Sequence, residues 1–138
     1  MKRASGQAGF TLIEIMVVVF ILGLLVTLVA PKIIGRTDQA RQVKATADIK
    51  AIEEAMKLFK LDNGFYPSSA EGITALIQPP ARARRFNPDG YLDKVPVDPW
   101  GNEYAYVSDG RDVRIISYGA DGVEGGDGYN RDLDNFED

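Results

Sequence analysis

Two groups of residues in this 138-residue chain have types and spacing that can do chemistry. The first is the end of the sequence, residues 119–138, GADGVEGGDGYNRDLDNFED, with seven carboxylates and a single base, Arg131. Five glycines in its first ten residues allow tight turns that expose backbone carbonyls. Calcium takes about six to eight oxygen ligands at about 2.3–2.6 Å from such a set. Magnesium demands a stricter octahedron and zinc prefers nitrogen or sulfur, so calcium is the leading cation. The aspartate spacing is not that of an EF-hand loop. Gly125-Gly126-Asp127-Gly128-Tyr129-Asn130 approaches a calcium nonapeptide, but such repeats act in stacks and only one is present. The competing reading is a solvated acidic tail. Tyr129, Leu133 and Phe136 argue against it, as apolar anchors that a solvating tail does not need.

The second group is one residue. Glu14 stands alone in the run GFTLIEIMVVVF, residues 9–20, which is otherwise apolar enough for a membrane. A lone carboxylate at a bilayer centre costs about 2.5–3.5 kcal/mol on insertion scales, less near the interface. It is therefore a functional candidate whose partner must be found.

Catalysis has little to work with. The chain has no histidine and no cysteine, so the usual general base and thiolate nucleophile are missing. A carboxylate pair such as Asp132/Asp134 would serve glycosidase chemistry, but it sits in a short glycine-rich end with no sign of a cleft. The sequence assigns no catalytic residue. The net charge of −4 argues against a nucleic-acid partner. Arg82, Arg84 and Arg85 cluster after Pro79-Pro80 but lack interleaved aromatics, and read as a solvated loop.

The elements that position these groups can be read from periodicity. Residues 10–30 carry one charge, Glu14. A helix of that length spans roughly 30 Å, the thickness of a bilayer's hydrocarbon. Lys2 and Arg3 precede it and place the N-terminus in the cytoplasm. The run ends Leu28-Val29-Ala30-Pro31 without the small-residue pattern of an ordinary secretory cleavage site. Pro31 removes one helical hydrogen bond and predicts a kink. Beyond it, Ala45, Ile49, Ile52, Met56 and Phe59 form the stripe of an amphipathic helix, with Glu53 and Lys57 paired one turn apart on another face. Asn63-Gly64 and Pro67 close it. One helix of some fifty residues is the economical reading.

Ser68-Ser69-Ala70-Glu71 fits a capping box and predicts a short second helix to about Ile77. Asp98-Pro99-Trp100-Gly101 predicts a turn. Tyr104–Val107 and Val113–Ser117 predict an antiparallel hairpin that packs on the helix stripe.

Gly9-Phe10-Thr11-Leu12-Ile13-Glu14 resembles the class III signal of type IV pilins and pseudopilins. Asp98-Pro99-Trp100-Gly101-Asn102 and Ser117-Tyr118-Gly119-Ala120-Asp121-Gly122 are similar to the body of the major pseudopilins of type II secretion (general secretory pathway protein G). The likeness runs from Gly9 to about Phe136. The absence of cysteine fits it, since ordinary type IV pilins usually carry a C-terminal disulfide.

The resemblance implies an α+β, type IV pilin-like fold. It consists of a long N-terminal helix, half transmembrane and half amphipathic, on a short second helix and a small antiparallel sheet, with a C-terminal calcium loop. Prepilin peptidase would remove residues 1–9 by cutting between Gly9 and Phe10, and Phe10 would be N-methylated. Residues 10–30 would be the transmembrane and assembly helix. Residues 31–138 would be the periplasmic domain, with 31–63 the amphipathic half of the helix. Glu14 of one subunit would meet the Phe10 amine of a neighbour.

One structural calcium ion would be held by Asp121, Asp132 and the main-chain carbonyl of Tyr118, with Asp127 and Asp134 as secondary candidates. The partners implied are the chain itself as a homopolymeric filament, minor pseudopilins, the inner-membrane assembly platform, and membrane lipid before assembly. The implied role is the shaft of a periplasmic pseudopilus that exports folded proteins. The alternatives are a minor pseudopilin or type IV pilin, and a membrane-anchored periplasmic calcium-binding protein or enzyme.

Overall fold

The computed structural model describes residues 8–137, and residues 30–35 by their backbone alone. Residues 1–7 of the expected leader lie outside the described residues. Helix α1 spans Leu12–Asn63, 52 residues, and includes Pro31. The expectation of one long helix holds. The chain divides into two compact units between Thr37 and Asp38.

In the first unit, Leu12–Val29 has a mean hydropathy of 3.0 and no residue of it is buried within the protein. Length and composition suffice to cross a bilayer. Soluble folds rarely leave such a surface uncovered.

In the second unit, the stripe read from the sequence is the core. Ala45, Ile49, Ile52, Met56 and Phe59 are all buried, and they cluster with Leu76, Tyr104, Val113, Ile115 and Leu133. The Phe59 ring meets Phe65 and Tyr91 edge-on, each at 5.5 Å between centroids. Lys57 lies 3.5 Å from Glu53 on the outer surface, the pair expected from spacing. The Gly64 amide closes α1 on the Lys60 carbonyl at 2.7 Å.

The capping box forms as expected. The Ser68 amide donates to the Glu71 carboxylate at 2.7 Å, and the Glu71 amide to the Ser68 hydroxyl at 3.3 Å. The helix expected after it is shorter and tighter, a single 3-10 turn at Ile73–Leu76. Gly72 is the reason: its φ of 63° and ψ of −165° interrupt a helical path between the box and the turn.

Strands β1 (Ala105–Ser108) and β2 (Val113–Ser117) form the expected antiparallel hairpin, with Tyr106 opposite Ile115. The Asp109 carboxylate holds the connecting turn by accepting from the Arg111 and Asp112 amides, both at 2.8 Å. A third strand, β3 (Leu133–Asp134), pairs antiparallel with β2 and was not legible in the sequence. Beyond β3, the Asn135 side chain accepts from the Ile115 amide and donates to the Val113 carbonyl, both at 2.9 Å. On the opposite side of the sheet, the Ser69 hydroxyl bonds both the amide and the carbonyl of Ser108.

Candidate functional site

At the start of α1, the Thr11 amide donates to the Glu14 carboxylate at 3.0 Å, and the Glu14 amide donates to the Thr11 hydroxyl at 3.2 Å. This is a reciprocal capping box, and it satisfies two of the amides that a helix start leaves without partners. Glu14 therefore has a partner within its own chain. The signal is present in the sequence as Thr-x-x-Glu before an apolar run, but the apolar context points to an intermolecular partner alone. Phe10 and Leu12 lie beside this cap and are about four-fifths exposed.

The second region is built on the turn at Asp98. Its buried carboxylate accepts from the amides of Trp100 at 3.1 Å and Asn102 at 2.8 Å, and from the Ser117 hydroxyl at 2.8 Å. The Gly101 amide completes the turn on the Asp98 carbonyl at 2.9 Å. Ser117 ends β2, so one carboxylate fastens the turn to the strand that leads into the C-terminal loop. A Cβ on Gly122 would lie 3.1 Å from the Asn102 side-chain amide. The two sequence elements that carry the resemblance, 98–102 and 117–122, are thus neighbours in space.

The loop itself is closed from within. The Ala120 amide donates to the Tyr129 carbonyl at 2.9 Å, and the Gly125 amide donates to both oxygens of Asp132. A Cβ on Gly119 would sit 2.7 Å from the Arg131 carbonyl oxygen, and one on Gly126 would sit 2.7 Å from that of Asn130. Both clashes are with backbone, so only glycine lets the strands of this loop approach so closely.

Each residue singled out in the sequence has a definite place here. Asp121 is exposed and accepts from the Val123 amide at 3.1 Å. Asp132 is half-buried at the loop closure, and Asp127 is exposed. Asp134 is turned to a different task, an ion pair with Arg114. Burial alone would raise the Asp134 carboxyl, but the Arg114 guanidinium and the amides of Phe136 and Glu137 outweigh it and hold it below the usual range. Among the described residues no three acidic side chains gather at one point. The anchors expected of this stretch are also fewer: Leu133 is buried, whereas Tyr129 and Phe136 are exposed. Asn135 is the anchor that sequence pattern does not reveal, reaching β2 with its amide.

The donor chemistry nonetheless fits a hard cation. Every candidate ligand is an oxygen, and the glycines let backbone carbonyls crowd the loop interior. Asp121 and Asp132 are charged oxygens that the loop offers to such a cation.

Comparison with known proteins agrees with this architecture. Residues 32–136 match the family model described as type II secretion system (T2SS), protein G, and residues 4–30 match the prokaryotic N-terminal methylation motif. Type II secretion system core protein G of Pseudomonas aeruginosa is 49% identical over 136 residues, covering 95% of this chain and 96% of the relative. That of Vibrio cholerae is 44% identical, covering 99% and 96%. The crystal structure of the major pseudopilin from the type 2 secretion system of enterohaemorrhagic Escherichia coli superposes with a TM-score of 0.63 at 33% identity. That match covers 75% of this chain and 92% of the other. The chain belongs to the type II secretion system protein G family and is a major pseudopilin of that system.

Proposed function

We propose that prepilin peptidase cuts this chain between Gly9 and Phe10, that Phe10 is N-methylated, and that the trimmed chain polymerises into a periplasmic filament. The observation that carries the reading is the start of α1. It joins an apolar surface, no residue of which is buried, to one carboxylate, Glu14, four residues past the proposed new N-terminus. Before assembly the apolar surface lies in the inner membrane, with the N-terminus in the cytoplasm. Cleavage creates a cationic amine at Phe10, which stays cationic when methylated. In the filament that amine of one subunit meets Glu14 of a neighbour, and Pro31 gives the kink by which the helix leaves the bilayer packing. Contacts of this head-to-tail kind between identical subunits generate open filaments. Minor pseudopilins and the inner-membrane assembly platform are the implied partners, and the reading needs no catalysis by the chain itself.

One calcium ion completes the proposal. Bound by Asp121, Asp132 and main-chain carbonyls, including that of Tyr118, it neutralises converging oxygens and stabilises the loop by binding only the folded form. Asp127 is a secondary ligand, whereas Asp134 is engaged by Arg114.

Mass spectrometry of the protein recovered from membranes tests the reading. A mature chain beginning at methylated Phe10 supports it. A chain still beginning at Met1 in cells that contain the peptidase overturns it.

A further inference from the structure

The second unit is charged oppositely at the two ends of its helical segment. At the Asn63 end, the loop after Pro80 folds back on the helix, and the Arg85 amide donates to the Asn63 side chain at 3.1 Å. Arg82 is engaged there, paired with Glu71 at 2.8 Å and stacked over the Phe65 ring at 4.0 Å. Arg84 and Arg85 line the surface and, among the described residues, take part in no ion pair. They border an open cleft of about 610 Å³ together with Asp62, whose carboxylate accepts from the Tyr91 hydroxyl. This end thus presents two uncommitted cations around a concave surface.

At the other end, the Gln42 side chain donates to the Gly128 carbonyl at 2.8 Å and fixes the acidic loop beside the helix. All of residues 121–130 are exposed, and neither Glu124 nor Asp127 is in an ion pair among the described residues, although Glu124 feels the more distant charge of Arg114. Gln42 and Asn63 stand 21 positions apart on one helix, about 31 Å at 1.5 Å per residue. A charge can reach the opposite patch of its own domain over that distance only through strong screening, since the Debye length is about 8 Å in physiological salt.

Complementary patches that cannot meet within one molecule can meet between two. Their placement at opposite ends of one rod makes the contact heterologous, so each subunit uses its basic cleft on one neighbour and its acidic loop on another. Repetition of such a contact extends along a line and does not close on a dimer. We infer that the Arg84/Arg85 cleft of one subunit receives the Glu124-bearing loop of a second copy of this chain, head to tail along the filament. The inference rests on the filament reading and adds the surface by which the globular domains stack. It also gives the arginine loop a binding role, where the sequence alone reads it as a solvated loop. If Asp121 and Asp132 hold a cation, Glu124 and Asp127 remain as the outward charges.

The chain has no cysteine, which makes a crosslinking test clean. The full-length chain carrying Arg85→Cys together with Glu124→Cys, assembled in its membrane and treated with a long bis-maleimide, should give a ladder of dimers, trimers and higher species. A mixture of the two single variants should stop at dimers. In a second arm, Arg84→Glu with Arg85→Glu should lose most sedimentable filament, and added Glu124→Arg should restore it. Normal filaments with no ladder from the double-cysteine chain would overturn this inference and leave the filament reading intact. No filament from the wild-type chain in cells with the secretion system would overturn both. Loss of filament that Glu124→Arg leaves unrestored, in a variant with wild-type thermal unfolding, also counts against the contact.

Discussion

Thr11 and Glu14 hold one another at the first turn of α1, each amide donating to the other residue's side chain. The carboxylate proposed for assembly is thus already occupied in the isolated subunit, and under that proposal its exchange for a neighbour's amine would replace one charge-assisted hydrogen bond by an ion pair. That lowers the cost of carrying Glu14 into lipid before a neighbour is found.

This relationship separates two variants. Thr11→Val removes the hydroxyl acceptor and should cost about 1 kcal/mol at the helix start. Amide exchange of residues 12–15 in micelles should quicken about fivefold, while filaments still form. Glu14→Ala removes both the cap and the intermolecular partner, and should be cleaved normally yet yield little filament. Wild-type filament yield from Glu14→Ala would contradict the assembly role.

The Asp98 carboxylate serves two amides and a hydroxyl from a buried position, and its loss orphans all three. Asp98→Ala should destabilise the folded domain by about 3 kcal/mol, against about 1 kcal/mol for Ser117→Ala. Urea unfolding of the two variants checks the ratio, and equal effects would show that the Ser117 bond dominates.

Calcium dependence is read by thermal unfolding. At calcium about a hundredfold above its dissociation constant, the wild-type chain should gain about 2.7 kcal/mol over the same chain in chelator. Asp121→Ala and Asp132→Ala should each lose most of that difference. Asp134→Asn should keep it while losing the charge pairing with Arg114. Melting that is identical with and without chelator would rule the ion out of the loop.

Acid unfolding should carry a signature of Glu71. The Arg82 guanidinium is the main cause that holds this carboxyl down at about 2, from an ordinary value of 4.5. A carboxyl depressed in the folded state stabilises it above the unfolded-state value, and that contribution fades as pH falls from about 4.5 to about 2. The stability gap between wild type and Arg82→Met should be constant near neutrality and close across that window. A gap independent of pH would show that Arg82 acts through its stacking on Phe65 and its bond to the Tyr66 carbonyl, not through Glu71.

The sequence was most legible where pattern and burial coincide. The stripe from Ala45 to Phe59 could be read because an amphipathic helix repeats its buried face every three or four residues, and that repeat needs no knowledge of the partner. The hairpin was readable because its turn is local. The 3-10 turn was not, since a capping box reports a helix start but the conformation of Gly72 sets the path of the chain beyond it. β3 and the Asn135 bonds also escaped, because they join residues about 20 positions apart through a two-residue strand with no period to detect. Tyr129 and Phe136 misled for a related reason. Aromatic residues read as anchors, yet a loop fixed by the Ala120–Tyr129 and Gly125–Asp132 bonds leaves them exposed.

The side chains of Ser69 and Asn135 occupy backbone groups on the two flanks of the β1–β2 pair that another strand would otherwise seek. Unpaired strand flanks invite pairing between molecules, a hazard that grows with local concentration. Subunits in a fibre are held at very high local concentration for as long as the fibre lasts. Under the proposal that the chain polymerises through its helix, pairing through the sheet would compete with that assembly, and these two polar side chains occupy groups on both flanks where it would begin.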